Sequence, residues 1–155
     1  MVDSDRNKEM IYGREGVTQG DPSAMAMYSI SIQPLIHSLA TNQDPLLPAV
    51  KQAWFADDGT GGGSIPQLRK MWDNVNQEGP KYGYYPKASK SILIVKGLEN
   101  LPKAKSVFKD TGVQITTEGD RHLGAVLGSV DFKHEFVRRK ISSWVKDIED
   151  LAAVA

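Results

Sequence analysis

The sequence contains no cysteine. Disulfides and thiolate zinc sites are thereby excluded, while the compartment stays unidentified. A long apolar run is lacking as well. The most apolar segment, AMAMYSISIQPLI (residues 24–36), is broken by Ser29, Ser31, Gln33 and Pro34, so it does not read as a membrane span. The first ten residues, MVDSDRNKEM, are too polar for a signal peptide, and an intracellular protein of unknown compartment is expected. Charge of one sign is not in excess: 19 Lys and Arg balance 19 Asp and Glu. No global field therefore draws the chain toward nucleic acid or acidic lipid. Internal repeats are absent, and the short glycine run near residue 60 is the one low-complexity feature.

What is present describes one globular domain. The 155 residues are 40% apolar and 25% charged, enough for a single core and too few for two ordinary ones. Charge is uneven along the chain. Between Lys81 and Lys109 stand seven lysines and one acid, Glu99.

Asp21-Pro22 reads as a helix start, an acceptor followed by a proline whose missing N–H costs nothing there. Met25, Tyr28, Ile32, Leu35 and Leu39 follow at helical spacing, and Pro34 should kink or divide the helix. VKQAWFA reads as a strand that leads into a turn. Ser64 and Pro66 open a second helix with Leu68, Met71, Trp72 and Val75 as its buried stripe, closed by Gly79-Pro80. SILIVK is a strand and LPKAKSVFKD a short helix. GVQITT and HLGAVLG look like short strands, paired as a hairpin near Gly119-Asp120. From Asp131 a last helix carries Val137, Ile141, Trp144, Ile148 and Leu151 on one face, and Trp72 and Trp144 read as core. The pattern is α+β.

Between the first strand and the glycine run lies WFADDGTGGG (residues 54–63). Neighbouring side chains of an extended strand point to opposite faces, so Asp57 and Asp58 converge only at a bend. Asp58-Gly59 is a favourable turn pair. Two readings are open: solvated carboxylates on an Asp-Gly turn, or a site for a hard divalent cation. For the second, Ala56 and the glycines strip side chains from the turn, and no lysine or arginine lies close in sequence to relieve the repulsion. As a phosphate cradle GTGGGS is weak, since the lysine of a P-loop is missing. His37, His122 and His134 have no metal-ligand spacing. Tyr82, Tyr84 and Tyr85 could stack bases between Lys81 and Lys87, but they read better as cover for a core edge.

With its neighbours, FADD resembles motif C of the reverse transcriptase palm. EGVTQGDPSAM (15–25) resembles motif B of retroelement polymerases, GYYPKASKSILIVK (83–96) motif D, and RHLGAVLG (121–128) the primer-grip hairpin, motif E. The four stand in the family's order. The resemblance divides the chain into a polar lead-in (1–14), a partial palm (15–118), a primer-grip-like hairpin (119–130) and a C-terminal amphipathic helix (131–155).

The resemblance implies roles residue by residue. Asp57 and Asp58 would be catalytic metal ligands for Mg²⁺ or Mn²⁺, and Lys90 a proton donor to pyrophosphate. Gln19, Gly20, Asp21 and Pro22 would line the nucleotide and template pocket, and Leu123 and Gly124 would pack near the primer end. For Lys90 a solvated lysine before a strand, and for Leu123 and Gly124 an ordinary hairpin, are equally open readings. Partners would be a template-primer nucleic acid and a deoxynucleoside triphosphate, with no membrane. In the two-metal scheme one ion lowers the pKa of the primer hydroxyl and the other neutralises leaving pyrophosphate.

The family's first catalytic aspartate, motif A, and the fingers have no counterpart here. Asp3 and Asp5 are the early candidates, but their segment lacks the apolar strand that should carry them. The expected fold is thus a ferredoxin-like βαββαβ palm, sheet order 4-1-3-2, lacking its first strand and followed by a short hairpin and a helix. Metal binding should be weak, the isolated chain inactive, and the open sheet edges free to pair with another chain. The expected function is a fragment of a retroelement RNA-directed DNA polymerase. The alternative is a non-catalytic nucleic-acid- or protein-binding remnant. A palm-like nucleotide cyclase ranks last, because it leaves QGDP and HLG unexplained.

Overall fold

A computed structural model describes residues 20–154. Gln19, Asp3, Asp5 and the lead-in lie outside the described residues. The fold is mixed α+β. Helix α1 (Ala24–Thr41) leads to the antiparallel hairpin β1 (Lys51–Phe55) and β2 (Asp58–Gly62), then to helix α2 (Ile65–Glu78). Strand β3 (Ile92–Ile94), helix α3 (Leu101–Val107) and strand β4 (Gln114–Thr116) follow. The hairpin β5 (Gly119–His122) and β6 (Ala125–Gly128) precedes helix α4 (Val130–Val154).

The helix start falls slightly later than expected. Asp21 does not cap the first turn; its Oδ1 accepts from the backbone N–H and the hydroxyl of Ser23, both at 2.7 Å, and Ser23 is the residue before α1. Those two bonds hold the Asp21 carboxyl below its ordinary pKa. Pro34 does not divide the helix, which runs as one element from Ala24 to Thr41. Proline deprives the Ile30 carbonyl of its usual donor. Ile30 and Pro34 are both exposed, so water can replace the missing N–H.

Helix α2 is central. On one side Ile32, Leu35 and Leu39 of α1 form a buried cluster with Val75, and Tyr28, Trp54, Trp72 and Tyr84 pack around it. On the other, Leu93 and Val95 meet Ala104 and Phe108 of the α3 region, with Leu68 and again Trp72 against them. Trp72 touches both clusters and so joins them. Gln67, 1% exposed, is the polar residue inside: its amide donates to the carbonyls of Asp44 and Leu47, and its oxygen accepts from the Asp44 N–H. Every polar atom it buries is partnered, which is what makes an amide tolerable there. Arg69 ties α2 to the end of α3 and the turn after it through the Val107 carbonyl and the Asp110 carboxylate.

Among the described residues the strands form three separate two-stranded sheets: β1–β2, β3–β4 and β5–β6. GVQITT and HLGAVLG do not pair as a hairpin. Instead β4 runs parallel to β3, with Leu93 opposite Ile115, and the hairpin is closed by β5 and β6. A parallel partner suits β3 because α3 supplies the crossover between them. Gly119 and Gly128 face each other at the root of the β5–β6 hairpin, where a Cβ on either would strike the opposite backbone. Trp144 is not a core residue. It is 59% exposed, and every residue of α4 from 137 to 154 is exposed.

Candidate metal and nucleic-acid site

The bend between β1 and β2 falls on Ala56-Asp57, not on Asp58-Gly59. Phe55 pairs with Asp58 and Trp54 with Gly59, so Asp58 is already the first residue of β2. The Trp54 indole lies over Gly59, where a Cβ would approach ring carbons to 2.8 Å, and this contact fixes the register. Ala56 then takes φ +51°, while Asp57 does not enter the left-handed region. A positive φ at the first turn residue alone is the φ pattern of a type II′ turn, which prefers glycine at the position Ala56 holds.

The glycine run has a structural origin too. A Cβ at Gly61 would meet Met71, Leu68 and Val50, and one at Gly63 would meet Val50. Gly61 lets the hairpin lie close on α2, and Gly63 makes room for Val50. Gly62 is the open position of the run, with one backbone oxygen at 4.0 Å.

Strand alternation assigns the faces. Gln52, Trp54, Gly59 and Gly61 share the face toward α2, while Phe55, Asp58 and Thr60 share the other. Asp57 and Asp58 are both exposed, and among the described residues neither carboxylate takes part in a salt bridge. Their negative potential still reaches the surrounding rings. Burial raises the Tyr28 phenol pKa, and the Asp57 charge raises it further. Tyr84 is raised mainly by burial, then by Tyr28, Asp57 and Asp58, with partial relief from a hydrogen bond to the Gly59 backbone. Tyr84 also meets Trp54 edge to face at 5.5 Å. The acidic turn is therefore close to the first part of α1, the helix that Gly20, Asp21 and Pro22 introduce.

Sequence reasoning missed His122. Its Nε2 lies 2.9 Å from Thr60 Oγ1, joining β5 to β2 two residues beyond Asp58. Alternation could have placed Thr60 beside Asp58, but nothing local in the sequence signals the partner 62 positions away. The Leu123-Gly124 pair one step on forms the hairpin tip, with φ +49° and +83° as in a type I′ turn. Leu123 is 53% exposed there. A bulky residue in left-handed backbone costs about 1–2 kcal/mol.

The other expected residues are placed without being gathered. Gly20 (φ +96°), Asp21 and Pro22 are exposed ahead of α1, and the Asp21 carboxylate is engaged by Ser23. Lys90 is exposed at the end of a short 3-10 turn, two residues before β3. Among the described residues no hydrogen bond or ion pair links it to Asp57 or Asp58. Tyr84 is half-buried as a cover of the core, while Tyr85 is 70% exposed.

Asp57 and Asp58 offer adjacent, exposed carboxylate oxygens, the donor type a hard divalent cation takes. Among the described residues no group of three or more metal-ligating side chains exists. Scans against protein-family models, curated proteins and solved structures return no match. No described helix is long and apolar enough to cross a membrane.

Proposed function

We propose that this chain is part of a reverse-transcriptase-type palm, in which Asp57 and Asp58 hold a divalent cation beside a nucleic-acid 3′ end. The observation that carries the reading is the exposed acidic turn beside Tyr28 of α1 and fastened through Thr60 and His122 to the Leu123-Gly124 hairpin. Two of the other segments that resemble the family thus adjoin the hairpin that carries the acidic turn, the helix after QGDP on the face of Trp54 and the HLG hairpin on the face of Thr60. The fourth, with Lys90, flanks the second core cluster.

A bound Mg²⁺ or Mn²⁺ would supply charge neutralisation at attacking and leaving oxygens. The chain's own contribution is positional. The bend takes Asp57 out of the strand ladder, and the Trp54–Gly59 contact fixes which residue sits at the bend. Two carboxylates do not make a two-ion site, so nucleotidyl transfer needs a third from outside the described residues.

The test is primer extension in Mg²⁺ by this chain fused to an upstream strand that bears an aspartate. Extension is expected from the fusion and loss to background in its Asp57→Asn form. Undiminished incorporation by that variant removes the metal assignment.

A second reading, nucleic-acid binding without catalysis, draws on a separate observation. All seven lysines between 81 and 109 are exposed, and among the described residues Lys81 alone of them forms an ion pair, with Glu78 at 2.6 Å. Binding to single-stranded nucleic acid should then weaken steeply with salt, by a logarithmic slope of about −0.7 per phosphate neutralised. An affinity that does not change with salt eliminates it.

A further inference from the structure

The apolar face of α4 follows a second pattern. Val130, Val137, Trp144 and Leu151 recur every seven residues, and His134, Ile141 and Ile148 recur every seven between them. From 137 the steps are four, three, four, three. That is the 3.5-residue period of a coiled-coil seam, widened on one side by Val145. The structure leaves this seam uncovered: Val137, Ile141, Trp144, Ile148 and Leu151 are 50–68% exposed, while α4 meets the rest of the fold through its first turns, near Phe132 and Gly119.

We propose that α4 is a self-association helix, pairing antiparallel with α4 of a second copy of this chain. The flanking charges select both the partner and the direction. With Val137 and Trp144 in one core register and Ile141 and Ile148 in the other, Lys133, Lys140 and Asp147 flank the seam on one side, Arg138 and Val145 on the other. In a parallel pair Lys133 would face Arg138 of the partner, a like-charge contact, while Lys140 and Asp147 would face Val145 and Ala152. In an antiparallel pair the core layers match Ile141 with Trp144 and Val137 with Ile148. That alignment sets Lys140 beside Asp147 of the other copy, twice by symmetry, and Arg138 beside Val145. Among the described residues neither Lys140 nor Asp147 has an ion-pair partner within the chain, whereas Arg138 and Arg139 both engage Glu135. A helix of 25 residues gives three heptads for the contact. The inference is independent of the palm reading, because none of its residues belongs to the acidic site.

Sedimentation equilibrium of the full chain tests it. A monomer–dimer equilibrium is expected. Ile141→Lys should raise the dissociation constant at least tenfold with the helical circular dichroism of the monomer retained, since the residue lies outside both core clusters. Lys140→Asp and Asp147→Lys should each weaken the dimer, and the double exchange should restore it. The sequence has no cysteine, so single introduced cysteines can carry spin labels cleanly. Ser143 and Asp150 occupy the same heptad position. An antiparallel pair separates the two Asp150 sites by about 20 Å more along the axis than the two Ser143 sites, at 1.5 Å per residue. A monomer at every concentration, equal label distances, or a dimer indifferent to Ile141→Lys would each overturn the proposal.

Discussion

At the scale of single residues, the account depends on where Asp57 points. Tyr28 and Tyr84 report on it, because the Asp57 charge helps hold both phenols above their ordinary pKa. Their folded-state values lie above the unfolded value of 10.0, so the stability they support is present below about pH 10. It is lost as pH rises through the folded-state values. In a spectrophotometric titration these two tyrosines should ionise last, and Asp57→Asn should bring their midpoints down. Unmoved midpoints in the variant would mean that the carboxylate faces away from α1. Leu123 offers a second test. An exposed leucine at φ +49° contributes strain with little packing in return, so Leu123→Asn should raise stability by about 1 kcal/mol in urea denaturation. A loss of stability would show that the leucine packs where it is needed.

At the scale of elements, the helices and the first antiparallel hairpin were legible, and the parallel pairing of β3 with β4 was not. Helical periodicity is local, and α2 begins after Ser64 and ends at Gly79 as its own residues require. Strand partners are chosen across the chain. Nothing within GVQITT states that Ile115 will lie beside Leu93, and the register of the first hairpin is set by the Trp54 ring on Gly59 rather than by the Asp-Gly pair. The acidic dyad itself was legible, but its bend was misplaced by two residues. Gly59→Val measures that contact directly. With a Cβ meeting the indole at 2.8 Å, the substitution should destabilise the fold by about 1–3 kcal/mol and disturb the hairpin register. A neutral result would free the register from Trp54. The amphipathic pattern of α4 was read correctly as a stripe and wrongly as a core, since periodicity tells which residues share a face and not what covers it.

At the scale of the whole molecule, α2 divides two small cores that Trp72 joins, and the β1–β2 and β3–β4 sheets pack on it without merging. Trp72→Ala should therefore loosen both clusters together, at a cost of about 3–5 kcal/mol and in one cooperative transition. Two separate transitions would mean that the clusters fold independently. Around that frame α1 and the β5–β6 hairpin flank the β1–β2 hairpin from its two faces, α1 on the side of Trp54 and His122 on the side of Thr60. The most direct measurement is a Mn²⁺ titration followed by nuclear magnetic resonance. Paramagnetic broadening should centre on the amides of residues 55–60 and extend to Tyr28, Tyr84 and His122, and it should vanish in the Asp57→Asn, Asp58→Asn double variant. Broadening centred elsewhere, or unchanged when both carboxylates are neutralised, would contradict the account.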